Sequence, residues 1–290
     1  MIGSRSGRLS NAGIACLVGL LMVVCVVPIL HVIAISFSDN SAILGGRVSL
    51  WPVQPTLLAY RGVLTDKTML RTLLFTVALT VVYTVIAMLL TVLAGYALSK
   101  KRLKGKNVFM TIIIITMFFN PGLIPTYLWI KTLGLLDSFW GLVLPGVMSA
   151  YNLILVKTFF MDLPQSFEES ATLEGANEFQ ILFQIFIPLS TAVLATISLF
   201  YAVGKWNSFQ DALYYITRRE LYPIQMKLYQ IIMQNQSLQV SSLEGTFGTA
   251  VLPESLRAAC VVFATIPILL AYPWLQNYFI KGVMIGGIKE

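Results

Sequence analysis

Glu169-Ser170-Ala171-Thr172-Leu173-Glu174-Gly175, followed after nine residues by Ile185-Phe186-Ile187-Pro188, is a polar, acidic interruption in a strongly apolar chain. Local chemistry gives this stretch a shape. Pro164 ends whatever precedes it, and Ser166-Phe167-Glu168-Glu169 has the spacing of a capping box, in which serine and glutamate side chains satisfy orphan amides. Gly175 supplies the C-terminal stop. Between them Phe167, Ser170, Ala171 and Glu174 share one helical face, and its two middle positions are small enough for another surface to approach closely. Asn177 caps a second helix, with Phe179, Leu182, Phe183 and Phe186 at i, i+3, i+4 and i+7 as its apolar stripe. The stretch therefore reads as a short helix, a sharp corner and a second helix leading into a membrane. Periodicity alone leaves an ordinary surface hairpin between two spans equally open.

Working outward, the chain of 290 residues is 57% hydrophobic and only 11% charged. Soluble domains carry about 25% charged residues, so this composition defines an integral membrane protein. Six segments approach the roughly 20 apolar residues that a spanning helix needs: 11–36, 72–98, 107–130, 138–156, 185–204 and 258–280. Arg5 and Arg8 precede the first, and Lys100, Lys101, Arg102, Lys104 and Lys106 crowd the junction after the second. The positive-inside rule makes those places cytoplasmic, and alternation puts the Glu169 loop and both termini on the same side. The first apolar segment is too long for a signal-peptide core and is read as an anchor.

The net charge of +7 is spread among basic residues beside apolar spans, where anionic headgroups explain it better than nucleic acid does. Cys16, Cys25 and Cys260 lie inside apolar stretches with neither pairing nor metal spacing. The chain has no Gly-rich Lys-Ser/Thr phosphate loop, no His-Glu-x-x-His and no row of intramembrane carboxylates. Apart from Lys157 near one end, the six spans carry almost no charge, which argues against a voltage sensor or a charged-ring channel. His31, near the outer end of the first span, reads as a packed or interfacial side chain rather than a proton relay. Pro28, Pro121, Pro125, Pro145, Pro188, Pro267 and Pro273 fall in or beside spans, where each frees a carbonyl and bends its helix.

Between the fifth and sixth spans, Trp206, Tyr214, Tyr215, Tyr222 and Tyr229 mix with Gln210, Gln225, Gln230, Gln234, Asn235, Gln236 and Gln239. Aromatic faces with amides suit flat, hydroxyl-rich sugars, and they equally suit an interfacial belt with a solvated loop. Asn120, Trp206, Asn207 and Asp211 are the candidates for a solute path.

In spacing, Glu169-Ser170-Ala171, Gly175 and Ile185-Phe186-Ile187-Pro188 resemble the loop signature of bacterial ABC importer permeases, Glu-Ala-Ala, three residues, Gly, nine residues, Ile, any residue, Leu-Pro. Ser170 and Ile187 depart from it conservatively. The resemblance runs from Arg71 to the C-terminus, through Trp206-Asn207 and the Tyr272-Pro273-Trp274-Leu275-Gln276 tail, and is nearest the MalG-like carbohydrate group, in its oligo- and polysaccharide branch. It implies an all-α integral membrane fold of six transmembrane helices in the type I ABC importer arrangement. Residues 1–70 would form an anchor helix and first outer loop, 71–281 the permease core with a coupling loop at about 162–188, and 282–290 a cytoplasmic tail. The implied protein is a transport subunit of the bacterial inner membrane, not an enzyme. It would pair with a homologous second permease subunit, two ATPase subunits that hold the ATP and magnesium, and an extracytoplasmic solute-binding protein. Glu169, Ser170, Ala171 and Gly175 would meet the ATPase. An oligosaccharide, alginate-type or neutral, is the implied cargo. Import of a non-sugar solute, or a self-sufficient carrier or channel, stays open from the residues themselves.

Overall fold

The computed structural model describes residues 5–119, 121–243 and 254–287, and over these the chain is helical, with a single isolated β-bridge between Ser38 and Pro55. The chain divides into two compact units, Met1–Leu70 with Leu228–Ile266, and Arg71–Lys227 with Pro267–Glu290.

In the first unit, α1 (Arg5–Ser36) exposes apolar side chains almost throughout, from Ile14 to Leu30, as a lipid-facing helix does. Its end is tied down by short-range bonds. Ser38 Oγ donates to the Ala34 carbonyl at 2.7 Å and accepts from the Val53 amide at 3.0 Å, while Ser36 Oγ and the Tyr60 hydroxyl lie 2.8 Å apart. His31 Nδ1 sits 2.6 Å from the Ser49 carbonyl, the packed role read from sequence. Asp39 caps α2 (Asn40–Leu44) by accepting from the Ser41 amide, and the Ser41 hydrogen bonds hold its carboxyl below the usual range. The short α3 (Leu58–Thr65) then leads into α4 (Lys67–Ser99).

From Arg71 onward α4 is the spine of the second unit. Thr76, Leu79, Tyr83, Ala87 and Thr91 are buried, one three-residue step followed by three of four residues, whereas Leu74, Val77, Val81, Val85 and Leu89 are exposed. One stripe faces protein and the other faces lipid. The buried stripe carries the polar bonds that order the unit: the Tyr83 hydroxyl donates to the Gly146 carbonyl at 2.8 Å, and Thr91 Oγ1 lies 2.7 Å from the Tyr201 hydroxyl. Gly95 permits a close helix approach, since a Cβ there would stand 2.9 Å from Val156 Cγ1.

Several expected spans are broken. The stretch 107–130 divides into α5 (Lys106–Phe118) and α6 (Leu123–Thr132), between which the chain bends by 120°. Pro121 cannot continue a helix, and Gly122 at φ +86° turns the chain. Likewise 138–156 becomes α7 (Phe139–Val143) and α8 (Ala150–Asp162), separated by Pro145 and by Gly146 at φ +65°. After α9 (Gln165–Leu173) the chain runs through α10 (Glu178–Ile181), a π-helical turn at Leu182–Phe186 and α11 (Ile187–Leu189). It then bends by 85° into α12 (Thr191–Asn207). Among the described residues, two helices are long and apolar enough to cross a membrane by themselves, and four spans result if each bent pair counts as one. The remaining elements are α13 (Gln210–Tyr215), a 3-10 turn at Arg219–Leu221, α14 (Ile224–Leu243) and α15 (Glu254–Gly287).

Candidate functional site: an acidic corner and a polar pocket

α9 does not begin on the expected serine cap. Pro164, at φ −57° and ψ 125°, occupies the N-cap position, so the helix starts at Gln165 without any side-chain cap. The Ser166–Glu169 capping box is therefore absent. Glu168 falls in the first turn, where a carboxylate favours the helix dipole, and Glu169 lies beyond it, exposed. The other end follows the sequence reading. Gly175 at φ +85° donates to the Thr172 carbonyl, and Ala176 donates to that of Ala171, which is the two-bond Schellman closure. Asn177 then caps α10 with a complete capping box, its side chain accepting from the Gln180 amide at 2.9 Å and the Gln180 side chain accepting from the Asn177 amide at 2.8 Å.

Half of the expected apolar stripe beyond that cap turns inward, and a π turn runs through it. Ile181, Leu182 and Phe186 are buried, while Phe179 and Phe183, expected on the same face, are exposed.

The corner is bolted to the end of α4 by charges that the sequence reading did not single out. Lys100 Nζ lies 2.7 Å from Glu168 and 3.8 Å from Glu178, and stands over the rings of Tyr96 at 4.1 Å and Phe186 at 4.6 Å. Its side chain is 9% exposed and that of Glu168 28%. Burial lowers the pKa of the Lys100 ammonium, and Glu168 opposes that shift. Glu178 also accepts from the Tyr96 hydroxyl at 2.7 Å and pairs with Arg102. A cleft of about 580 Å³ opens beside the cluster, lined among others by Arg102, Phe160, Gln165, Glu168 and Glu169. Of the four predicted docking residues, Glu169, Ser170 and Gly175 are exposed and Ala171 is half-buried on α9.

A second site forms in the same unit where α12 meets α13. α12 extends to Asn207, past the expected end of its span, and carries Lys205 into the interior; the expectation of almost uncharged spans is corrected here. Lys205 Nζ donates to Asp211 Oδ2 at 2.8 Å and stands 4.9 Å from the Tyr83 ring centroid. These groups border a pocket of about 350 Å³, with Thr126, Gly146, Gly204, Ser208 and Tyr215. Of the predicted path residues, Asp211 lines this pocket. Trp206 is buried in the packing, Asn207 is exposed with its amide donating to the Val203 carbonyl at 3.0 Å, and Asn120 lies outside the described residues. Outside the spans, Asp137 accepts from the Thr217 and Arg218 amides, which with the Thr217 hydroxyl keep its carboxyl below the usual range.

Fold and site together define a helical membrane protein whose exposed acidic corner is braced against a long spanning helix. No family model matches the chain. The polygalacturonan/rhamnogalacturonan transport system permease protein YtcP of Bacillus subtilis (strain 168) is 40% identical over 266 residues, covering 92% of this chain and 93% of YtcP. Protein LplC of the same organism is 38% identical over 290 residues, 100% of this chain and 98% of LplC. A chain in the crystal structure of a bacterial ABC transporter involved in the import of the acidic polysaccharide alginate matches with a TM-score of 0.86 at 35% identity, over 96% of this chain and 99% of that one. The chain belongs to the ABC transport system permeases, in their carbohydrate branch.

Proposed function

We propose that this chain is the transmembrane permease subunit of an ATP-driven, binding-protein-dependent importer of oligosaccharides. The observation that carries this reading is the end-to-end similarity to YtcP and to the alginate-transporter chain, which spans the acidic corner and the polar pocket alike. In this reading the broken helices count as membrane crossings. The spans are α1, α4, α5 with α6, α7 with α8, α12 and α15, in the type I arrangement, with both termini in the bacterial cytoplasm. A homologous second permease subunit completes the path. Two ATPase subunits hold ATP and magnesium, and a solute-binding protein delivers cargo to the outer face, at the amide-rich sequence that follows Tyr222. Ser170 and Ala171 let a partner approach α9 closely, Gly175 makes the corner and Glu169 meets a basic group of the ATPase. Closure of the ATPases moves α9, and the brace at Lys100 passes that movement to α4. Asn120, Trp206, Asn207 and Asp211 belong to the solute path.

Reconstitution of the full complex tests this directly. Binding protein loaded with an oligosaccharide should raise the ATPase rate of the liposome-bound complex. Stimulation by peptide- or phosphate-loaded binding proteins, with none from any saccharide, would overturn the carbohydrate assignment, and a chain that transports alone would overturn the importer assignment.

Topology gives a separate expectation. A cysteine replacing Gly105 should react only with a reagent supplied from the cytoplasm, and one replacing Ser242 only from outside. Reaction of both from one side would remove the six-span arrangement.

A further inference from the structure

We propose that Asp211, Lys205 and Tyr215 form a subsite that holds one pyranose ring of the transported saccharide by its hydroxyl edge. This rests on the transport reading above and adds to it the position and chemistry of a contact.

The position comes from Tyr83, which is the midpoint of α4, with sixteen residues of that helix on either side. Lys205 Nζ is 4.9 Å from the Tyr83 ring, so the Lys205–Asp211 pair lies level with the centre of a spanning helix. Buried ion pairs are costly, and those that a membrane protein keeps face its bundle interior or a water-filled cavity. Here the cavity is present. At about 350 Å³ it falls at the small end of ligand sites, the size for a single ring.

Chemistry follows from which partner is accessible. Lys205 is 5% exposed and Asp211 28%, so a solute in the pocket meets the carboxylate, while the ammonium behind it compensates the charge and fixes its position. A carboxylate held in this way accepts hydrogen bonds from hydroxyl groups and has no donor to offer phosphate or another carboxylate. With Lys205 already neutralising it, it offers little to a cation. Tyr215 borders the pocket as a buried wall, its ring packed on Tyr127 with centroids 6.4 Å apart, and so fixes the shape of the space beside Asp211. A uronic unit would enter with its hydroxyls towards Asp211 and its carboxylate turned away.

Gly204 makes the site testable. It lines the pocket in helical conformation, and a Cβ built on it meets nothing within 4 Å. A side chain there projects into open space. Cys16 and Cys25, the exposed thiols, are first changed to alanine, and Gly204→Cys is added to this parent. The complete complex with its binding protein is assembled in liposomes before a bulky methanethiosulfonate reagent is applied, so that the block acts on a folded protein. Uptake of galactotetraose and of tetragalacturonate is measured before and after labelling, for the parent and the variant.

Labelling should cut uptake by the Gly204→Cys complex by about tenfold or more, as added bulk does in a fitted pocket, and leave the parent's uptake unaffected. The thiol should also react more slowly while saccharide-loaded binding protein is turning over than with unloaded binding protein. Full labelling without loss of uptake, a thiol that the reagent cannot reach, or a reaction rate indifferent to saccharide would each overturn the subsite. A parent complex that takes up no saccharide overturns the carbohydrate-transport reading itself, whatever the variant does.

Discussion

Lys100→Glu is expected to release the acidic corner from α4, lowering the melting temperature of the purified chain and breaking the link between ATP hydrolysis and transport. In the native protein one ammonium serves two carboxylates, Glu168 at 2.7 Å and Glu178 at 3.8 Å, between the rings of Tyr96 and Phe186. The substitution would crowd three carboxylates there, with Arg102 the cation that remains paired to Glu178. Breaking one side of a buried pair costs about 3–5 kcal/mol, and the partial exposure of Glu168 places this case towards the lower figure. The exposed Arg102–Glu178 pair adds little. Exchanging the charges in Lys100→Glu with Glu168→Lys should recover much of the loss, because attraction returns while the rings stay in place. Thermal unfolding in detergent and sugar transported per ATP hydrolysed are the two readouts. A single variant that melts like the native chain and keeps its transport ratio would show that the brace carries no load.

How far the sequence reveals this architecture depends on the range of the interaction. Gly175 and Asn177 act within one turn of their own helices, and both do what their residue types predict. The Ser166–Glu169 box fails over an equally short range because Pro164, two residues earlier, already takes the N-cap position. The stripe's spacing groups Phe179 and Phe183 with Leu182 and Phe186, but only the latter two are buried, and the π turn across Leu182–Phe186 is a period that a count at 3.6 residues per turn does not register. Proline positions mark where helices can break, and the 85° bend between α11 and α12 falls two residues after Pro188. The two ion clusters illustrate the longest range. Lys100 is read from sequence as one of five basic residues marking the cytoplasmic side, and its pairing with Glu168 becomes visible only when α9 folds back on α4. Lys205 lies one residue beyond the expected limit of its span, and that single position separates a loop cation from a buried one.

Glu169→Lys is expected to abolish transport while leaving the chain folded. Glu168 and Glu178 are engaged inside the protein, whereas Glu169, on the same short helix, makes no ion pair among the described residues and is exposed beside the cleft. Its carboxylate is therefore available to a partner. Because Pro164 rather than a serine box begins α9, the substitution removes no cap, so the stability loss that a capping role would bring should not appear. The effect should fall on docking instead. Removing one member of an interfacial charge pair costs about 2–5 kcal/mol, equivalent to at least tenfold weaker association, and reversing the charge adds repulsion. Glu169→Gln should accordingly lose less than Glu169→Lys. The test compares the melting temperature, the ATPase recovered per permease after mild detergent extraction, and uptake in liposomes. Retained melting temperature with lost ATPase or lost uptake is the expected pattern; normal uptake with a full complement of ATPase would remove Glu169 from the docking surface.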